Sequence, residues 1–335
     1  MTEPTVPTTL PLDVPTLADV RAAAGRIRGQ AIRTPLIRSA LLDELTGATV
    51  FLKPECLQRT GSFKFRGAYN AISALSAEER AHGIFACSSG NHAQGVAEAA
   101  RLLGAEATII MPSDAPAIKR QRTEAMGAKV VTYDRATEDR DALTAAAAEA
   151  AGGAIVHPYE NAYVIAGQGT IGLEVVEDLA ALGLRPDAVF VCCGGGGLTA
   201  GVSLGIKDQV PEAEIYSVEP AGFDDTARSL AAGERLGNAR ASGSICDALL
   251  APRPGVRSFA VNRTRIARGL VVTDDEALAA VGFAARELKL VAEPGGAVAL
   301  AALLQGRADI RGKVVVAVIS GGNIDPPMLA RAMAL

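Results

Sequence analysis

The chain has 335 residues, 49% of them hydrophobic, 21% charged and 4% aromatic, with 35 glycines and no tryptophan. That length implies about two domains with ample apolar material for real cores, and the balance excludes a disordered chain, a coiled coil or a collagen. A net charge of −4 with no long run of Lys or Arg leaves no electrostatic footprint for a nucleic acid or a membrane surface.

Residues 1–15 carry Glu3, Asp13 and four prolines without a basic or apolar region, so they predict a loose arm rather than a signal peptide or anchor. Strands are predicted at 49–53, 84–87, 107–111, 130–133, 155–157, 188–193, 215–218 and 314–320. Several are continuous apolar runs, the pattern of parallel strands buried on both faces. Helices are predicted at 91–103, 140–151, 170–182 and 275–288, and Ser113-Asp114 before Ala115-Pro116 reads as a further helix start. This alternation defines an α/β fold with mostly parallel sheets. The charge-free stretch 188–206 is no membrane span, because four successive glycines interrupt it. Cys56, Cys87, Cys192, Cys193 and Cys246 show no C-x-x-C pair or metal-ligand spacing, which reads as reduced, buried thiols and a cytoplasmic address. With no repeat and no low-complexity linker, motif positions must decide how the α/β units divide.

Four segments carry chemistry. In Gly61-Ser62-Phe63-Lys64-Phe65-Arg66-Gly67-Ala68 a lone lysine stands between two phenylalanines. An amine in an apolar pocket has a lowered pKa and is available as a Schiff-base nucleophile; a snorkelling lysine with its stem between the rings has the same sequence. Ser88-Ser89-Gly90-Asn91-His92 follows a predicted strand and opens a helix. Such a turn offers backbone N–H groups and hydroxyls to a carboxylate, or is an ordinary Ser/Asn cap. Gly194-Gly195-Gly196-Gly197 then lies between a buried strand and a helix, which lets the backbone wrap an anion. The triphosphate-binding lysine motif is absent, and so is a dinucleotide fingerprint in context, which suits a monophosphate. Last, Ser320-Gly321-Gly322-Asn323 places a hydroxyl at the carboxyl end of a strand, where ligands bind in open α/β sheets, or forms a capped turn. A lysine amine, a phosphate cup and a strand-end serine together fit pyridoxal 5′-phosphate, with Lys64 as Schiff-base lysine, the glycines on the phosphate and Ser320 at the pyridine nitrogen.

With these motifs in order over residues 16–328, joined by Gly167-Gln168-Gly169-Thr170 and Glu293-Pro294, the sequence resembles the fold-type II pyridoxal-phosphate enzymes of the serine racemase and threonine dehydratase family. The resemblance implies two open, mostly parallel twisted sheets flanked by helices (the tryptophan synthase beta-like fold), with the cofactor in the cleft between domains. The large domain would comprise residues 1–75 and 161–335, and the small, substrate-binding domain residues 76–160. It further implies that Phe63 and Asn91 flank the cofactor ring and that Gly194, Gly195, Gly196, Gly197, Leu198, Glu293 and Ser320 complete the cofactor contacts. Ser88, Ser89, Gly90, Asn91 and His92 would hold the substrate carboxylate. Glu219, the Phe223 carbonyl and Asp225 match the metal-dependent branch; without the family they read as a solvated acidic turn, and with it as a site for Mg²⁺, Ca²⁺ or Mn²⁺.

The activity implied is β-elimination of a small 3-hydroxy amino acid, L-threonine or L-serine, to a 2-keto acid and ammonia. Lys64 would take the Cα proton. A serine hydroxyl at Ser320 cannot keep the ring nitrogen protonated as an aspartate would, which favours prompt elimination. Ser89 stands where the racemase has its second acid–base group, whereas many strict threonine dehydratases carry alanine there. The basic residue of the racemase's small domain falls on the run 145–148, all alanine here. Elimination is therefore the reading, with 3-hydroxyaspartate dehydratase and serine racemase as alternatives; a purely regulatory cofactor-binding protein and a β-replacement synthase are the readings from other classes. The partners implied are an amino acid substrate and a second copy of the chain in a homodimer, with neither nucleic acid nor membrane.

Overall fold

The computed structural model describes residues 14–115, 117–134 and 137–335. Most of the predicted arm, and Pro116 of the predicted helix start, lie outside the described residues. In chain order the elements are α1 (Leu17–Ile27), β1 (Ile37–Arg38), α2 (Ala40–Thr46), β2 (Thr49–Pro54), α3 (Lys64–Ser73), α4 (Ala77–Ala81), β3 (Ile84–Cys87), α5 (Asn91–Leu102), β4 (Ala107–Pro112), α6 (Ala117–Ala125), β5 (Lys129–Tyr133), α7 (Arg140–Ala151) and β6 (Ala154–Ile155). There follow α8 (Ala162–Ala181), β7 (Ala188–Cys192), α9 (Gly197–Lys207), β8 (Glu214–Pro220), α10 (Asp225–Ala232), α11 (Val256–Arg265), β9 (Ile266–Val272), α12 (Asp274–Glu287), α13 (Pro294–Leu304), β10 (Val314–Ile319) and α14 (Pro326–Met333).

The strands form two sheets, one in the order β1-β2-β10-β7-β8-β9 and one in the order β5-β4-β3-β6. All neighbours are parallel except β1, which pairs antiparallel with β2. The α/β class read from the strand–helix alternation therefore holds. Ala188–Cys192 is buried throughout, as is Val315 to Ile319, because helices cover both faces of these central strands. On one face of the larger sheet Leu52, Phe190 and Ala317 pack with Leu300 and Val281; on the other Phe51, Val191 and Val316 pack with Val175 and Val202. A third core, built around Phe65, Ile84, Ile109 and Val96, belongs to the smaller sheet. Local signals set the helix starts: Thr16 with Asp19, Ser76 with Glu79 and Thr273 with Glu276 each form a capping box, and Pro294 occupies the first turn of α13. No described helix is long and apolar enough to cross a membrane.

Three elements depart from the sequence reading. Strands β1 and β9 were not predicted: the first has two residues, and the second carries Arg268 and Gly269 within its run, at an edge where one side faces solvent. Helix α8 begins at Ala162 rather than 170. Gly167 and Gly169 weaken a helical forecast, yet here they lie at helix crossings. A Cβ on Gly167 would sit 2.6 Å from the Gly67 Cα of α3, and one on Gly169 2.8 Å from the Gly201 carbonyl of α9. Backbone packs on backbone at both places, which only glycine allows.

The same helices are tied by a buried ionic cluster. Arg66, fully buried in α3, donates to both oxygens of Glu55 at 2.8 Å and to Glu174 of α8 at 2.6 and 2.9 Å. Lys53 of β2 donates to Glu174 at 2.6 Å and to the Thr34 carbonyl at 2.7 Å. The guanidinium forks between two carboxylates, so each buried charge is paired.

Candidate active site

Lys64 is the first residue of α3, and the segment before it is stitched to the end of β10. Ser62 bridges Gly321, and the Phe63 N–H donates to the Ser320 carbonyl at 3.1 Å. The Lys64 Nζ donates to the Pro158 carbonyl at 3.1 Å and lies 5.1 Å from the centre of the Phe63 ring. Among the described residues it has no carboxylate partner, and burial alone lowers its pKa to about 8. An amine turned inward onto one neutral acceptor is not a snorkelling lysine, and its lowered pKa is what the Schiff-base reading requires. Helix α5 approaches it closely: a Cβ on Gly95 would stand 3.1 Å from the Lys64 carbonyl carbon.

Helix α5 starts at Asn91 directly beyond β3, and its cap, Gly90, provides no side-chain acceptor. The first-turn N–H groups are therefore left for a ligand, with the helix dipole behind them. Ser88 Oγ accepts from the Gly90 N–H at 3.2 Å, and a Cβ on Gly90 would meet nothing within 4 Å, so the turn faces open space. His92 lies buried beneath. Its Nε2 is 2.7 Å from the Val156 carbonyl, which can only accept, so that nitrogen holds the proton. Nδ1 is buried without a partner, and burial, with the charge of Lys64, lowers the pKa to about 3. A neutral His92 supports the turn from below.

The glycine loop joins β7 to α9. The Ser258 Oγ and the Gly255 N–H donate to the Gly195 carbonyl at 2.6 and 3.1 Å, and Asn262 Nδ2 to that of Gly196 at 3.2 Å. With these carbonyls tied to α11, the N–H groups of Gly194, Gly195 and Gly196 donate to no backbone carbonyl among the described residues. Those of Gly197 and buried Leu198 begin a helix with no side-chain cap. Gly196 has φ +88°, and a Cβ on Gly195 would strike the Tyr159 ring at 2.4 Å. The loop, at the carboxyl end of a central strand, could cradle an anion on these N–H groups.

Two parts of the site were not legible in the sequence. The first is a strap, residues 157–160, that crosses from the smaller sheet to the larger. His157 Nδ1 accepts from the Tyr159 and Glu160 N–H groups at 3.3 and 3.1 Å, Pro158 receives Lys64, and Tyr159 covers Gly195. The Glu160 carboxylate accepts from the Val256 N–H and, at 3.0 Å, from that of Arg257 at the start of α11. The second is a pair of contacts across the sheets. Asn91 Nδ2 donates to Glu293 Oε1 at 2.5 Å, and Asn323 Nδ2 to Asn91 Oδ1 at 2.7 Å. Burial pushes the Glu293 carboxyl up to about 7 against the Asn91 hydrogen bond. Partners 202 and 232 residues apart leave no local signal. Ser320 is buried at the end of β10.

A pocket of about 120 Å³ opens beside the strap, lined by Cys87, Arg140, Asp141, Thr144, Ile155, His157 and Pro158. Residues 145–148 bring no cation to this region, but α7 has one at its first residue: Arg140, 3.5 Å from the Asp141 carboxylate. Its charge faces Cys87 and Tyr159.

On the larger sheet, Glu219 is the penultimate residue of β8 and Asp225 begins α10. Glu219 accepts from the Thr226 and Ala227 N–H groups at 2.9 and 2.8 Å, and burial beside Asp225 raises its pKa well above the usual range. Asp225 Oδ1 accepts from Asn238 at 2.6 Å, while its buried Oδ2 has no partner. Phe223 between them is buried. No group of three or more His, Cys, Asp or Glu able to hold a metal occurs among the described residues.

Two parallel sheets with a buried amine and an anion cradle at their strand ends define a cofactor-dependent α/β enzyme. Residues 27–321 match the family described as pyridoxal-phosphate dependent enzyme, and the chain belongs to that family. An L-threo-3-hydroxyaspartate ammonia-lyase from a Pseudomonas species is 43% identical over 92% of this chain and 95% of its own. An L-threonine ammonia-lyase from Thermotoga maritima is 41% identical over 94% of this chain and 77% of its own. Maize serine racemase, a solved structure, superposes with a TM-score of 0.89 at 35% identity, covering 96% of this chain and 97% of the other.

Proposed function

We propose that this protein is an ammonia-lyase that eliminates water from a small 3-hydroxy amino acid, L-threonine or L-serine, to an enamine that takes a water back on hydrolysis to a 2-keto acid and ammonia. The observation that carries the reading is the Lys64 amine, inward-facing, without a carboxylate partner and with its pKa near 8. The residues present fit pyridoxal phosphate: the unengaged N–H groups of the glycine loop suit its phosphate, and a side chain at Gly195 would collide with Tyr159. When bound through Lys64, that group supplies a conjugated ring that accepts the electron pair left at Cα.

The Lys64 amine would be the base that takes the Cα proton. Gly194 to Gly197 and Leu198 hold the phosphate, Phe63 and Asn91 flank the ring, and Glu293 holds Asn91. Ser320 would offer the ring nitrogen a neutral hydroxyl, which cannot keep it protonated as an aspartate would and so would favour elimination. Ser88, Ser89, the Gly90 turn and the Asn91 N–H bind the substrate carboxylate, with neutral His92 beneath them. Ser89 also provides an acid–base hydroxyl for racemisation. Residues 76–160 act as the small domain and the remainder of the chain as the large one. Glu219, the Phe223 carbonyl and Asp225 hold a divalent cation, Mg²⁺ in the first place; two buried carboxylates, one with an unpartnered oxygen, suit a hard cation whose shell water completes. Five free thiols and the family resemblance support a cytoplasmic homodimer.

One observation favours a second reading of the substrate. Arg140 gives the pocket beside the strap a cation that threonine and serine do not need, and a 3-hydroxyaspartate side chain would place a carboxylate there. The test is keto acid and enantiomer analysis with L- and D-serine, L- and D-threonine and the 3-hydroxyaspartate isomers, with and without EDTA. Pyruvate or 2-oxobutyrate from serine or threonine supports the first substrate class. Oxaloacetate from hydroxyaspartate alone replaces it with the second, and keto acid from none of them rejects the ammonia-lyase.

A further inference from the structure

Asn323 has no assigned role in the proposed chemistry, yet its orientation is dictated by the main chain. Its Nδ2 donates to the Thr60 carbonyl at 2.8 Å and to Asn91 Oδ1 at 2.7 Å. A backbone carbonyl only accepts, so the Asn323 group facing it must be the NH₂. That same NH₂ then requires an oxygen from Asn91. With its oxygen engaged, Asn91 has only its own NH₂ for the far side, where Glu293 Oε1 stands at 2.5 Å. The polarity of the whole chain therefore starts from Thr60, a β-branched residue held at φ +64°, a conformation that persists only where its surroundings impose it.

The backbone makes room for this arrangement. A Cβ on Gly61 would lie 2.7 Å from Asn323 Oδ1, and one on Gly321 would lie 2.2 Å from Glu293 Oε1 and 3.2 Å from Asn91 Nδ2. The charged groups that face Glu293 from neighbouring elements are Asp247, in a short turn of 3-10 helix, and Lys119 of α6.

We propose that Asn323 is a positioning residue that forces Asn91 to present N–H, never C=O, toward Glu293 and the Lys64 side of the cleft, so that this point of the site takes an oxygen anion on the edge of the cofactor ring. The inference rests on the reading that pyridoxal phosphate binds beside Asn91.

The test uses the full chain with N323A, the isosteric N323D, N91A and the double variant N91A/N323A. The first readout is the dissociation constant of pyridoxal phosphate, followed by visible absorbance. The second, on cofactor-free protein, is the side-chain ¹⁵N amide resonance of Asn91, assigned by its loss in N91A and followed from pH 6 to 8 as Glu293 titrates. Replacing Asn323 by alanine is expected to weaken cofactor binding about tenfold, the size of one lost hydrogen bond to a positioned amide. The double variant should bind no worse than N91A, because Asn323 acts through Asn91. The Asn91 resonance should follow Glu293 in the parent and cease to do so in N323A and N323D. Parent-like cofactor affinity in both Asn323 variants, additive losses in the double variant, or an unchanged Asn91 titration would each overturn the proposal. If the parent chain binds no pyridoxal phosphate, the cofactor reading fails by itself, and the Asn91 resonance still decides the role of Asn323.

Discussion

A lysine that must attack a carbonyl needs its nitrogen lone pair, and Lys64 obtains it through desolvation rather than through a neighbouring cation. Its folded-state pKa lies below the usual lysine value, so the amine is charged below about pH 8 and neutral above it. The rate at which pyridoxal phosphate forms a borohydride-reducible adduct should therefore rise through pH 8 and level off above it. A rate still climbing at pH 10 would mean that the amine is not shielded as described, and Lys64→Ala should form no reducible adduct at that position. Arg140 is the residue to change for substrate choice. If a second carboxylate binds there, Arg140→Ala should raise KM for 3-hydroxyaspartate about 10- to 100-fold, the range of a charged hydrogen bond, while threonine and serine kinetics stay within twofold. Equal losses on all substrates would assign Arg140 to the scaffold instead.

Individual elements show what a sequence can and cannot convey. The strand-end positions of Ser88, Gly194 and Ser320 follow from apolar runs that stop at small residues, so their placement in the fold was legible. Helix α8 was half hidden because Gly167 and Gly169 argue locally against a helix; their reason lies on α3 and α9, which no window along the chain contains. The strap and the Asn91–Glu293 contact were invisible for the same cause, since their partners are distant in sequence. Arg140 was overlooked at the mouth of a helix otherwise rich in alanine. The crossing of α3 and α8 makes a specific demand: Gly167→Ala would set a Cβ 2.6 Å from the Gly67 Cα and should cost at least the about 1–3 kcal/mol typical of overpacking, read as a lower midpoint of chemical unfolding. The ionic cluster below it makes another. Arg66→Met strands Glu55 and Glu174 without their fork, a loss of about 3–5 kcal/mol by comparison with other broken buried pairs. A variant as stable as the parent would show that the cluster is dispensable.

For the molecule as a whole, Glu219 and Asp225 place two buried carboxyl groups side by side at the larger sheet, where burial and their mutual repulsion disfavour ionising both. If the pair holds Mg²⁺, the ion should raise the melting temperature and EDTA should reverse the gain, a stabilisation of about 2.7 kcal/mol at a hundredfold excess over Kd. Asp225→Asn separates the alternatives: without metal it should melt above the metal-free parent because the repulsion is gone, and it should lose the response to Mg²⁺. A variant that still responds would place the ion elsewhere.

The position of β10 sets the order in which this molecule can be made. Among the described residues it is the last strand of the larger sheet in chain order, and it lies between β2 and β7, so nothing joins those two strands until Ile319 has been synthesised. At about 5–20 residues per second, β7 waits roughly 6–25 s with an open apolar edge, a natural target for chaperones. The smaller sheet lies within residues 84–155 and can close long before. The bridge from Ser62 to Gly321 then forms among the final contacts. Lys64, two residues beyond that bridge, therefore takes up its final backbone setting only once the carboxyl end of β10 is in place.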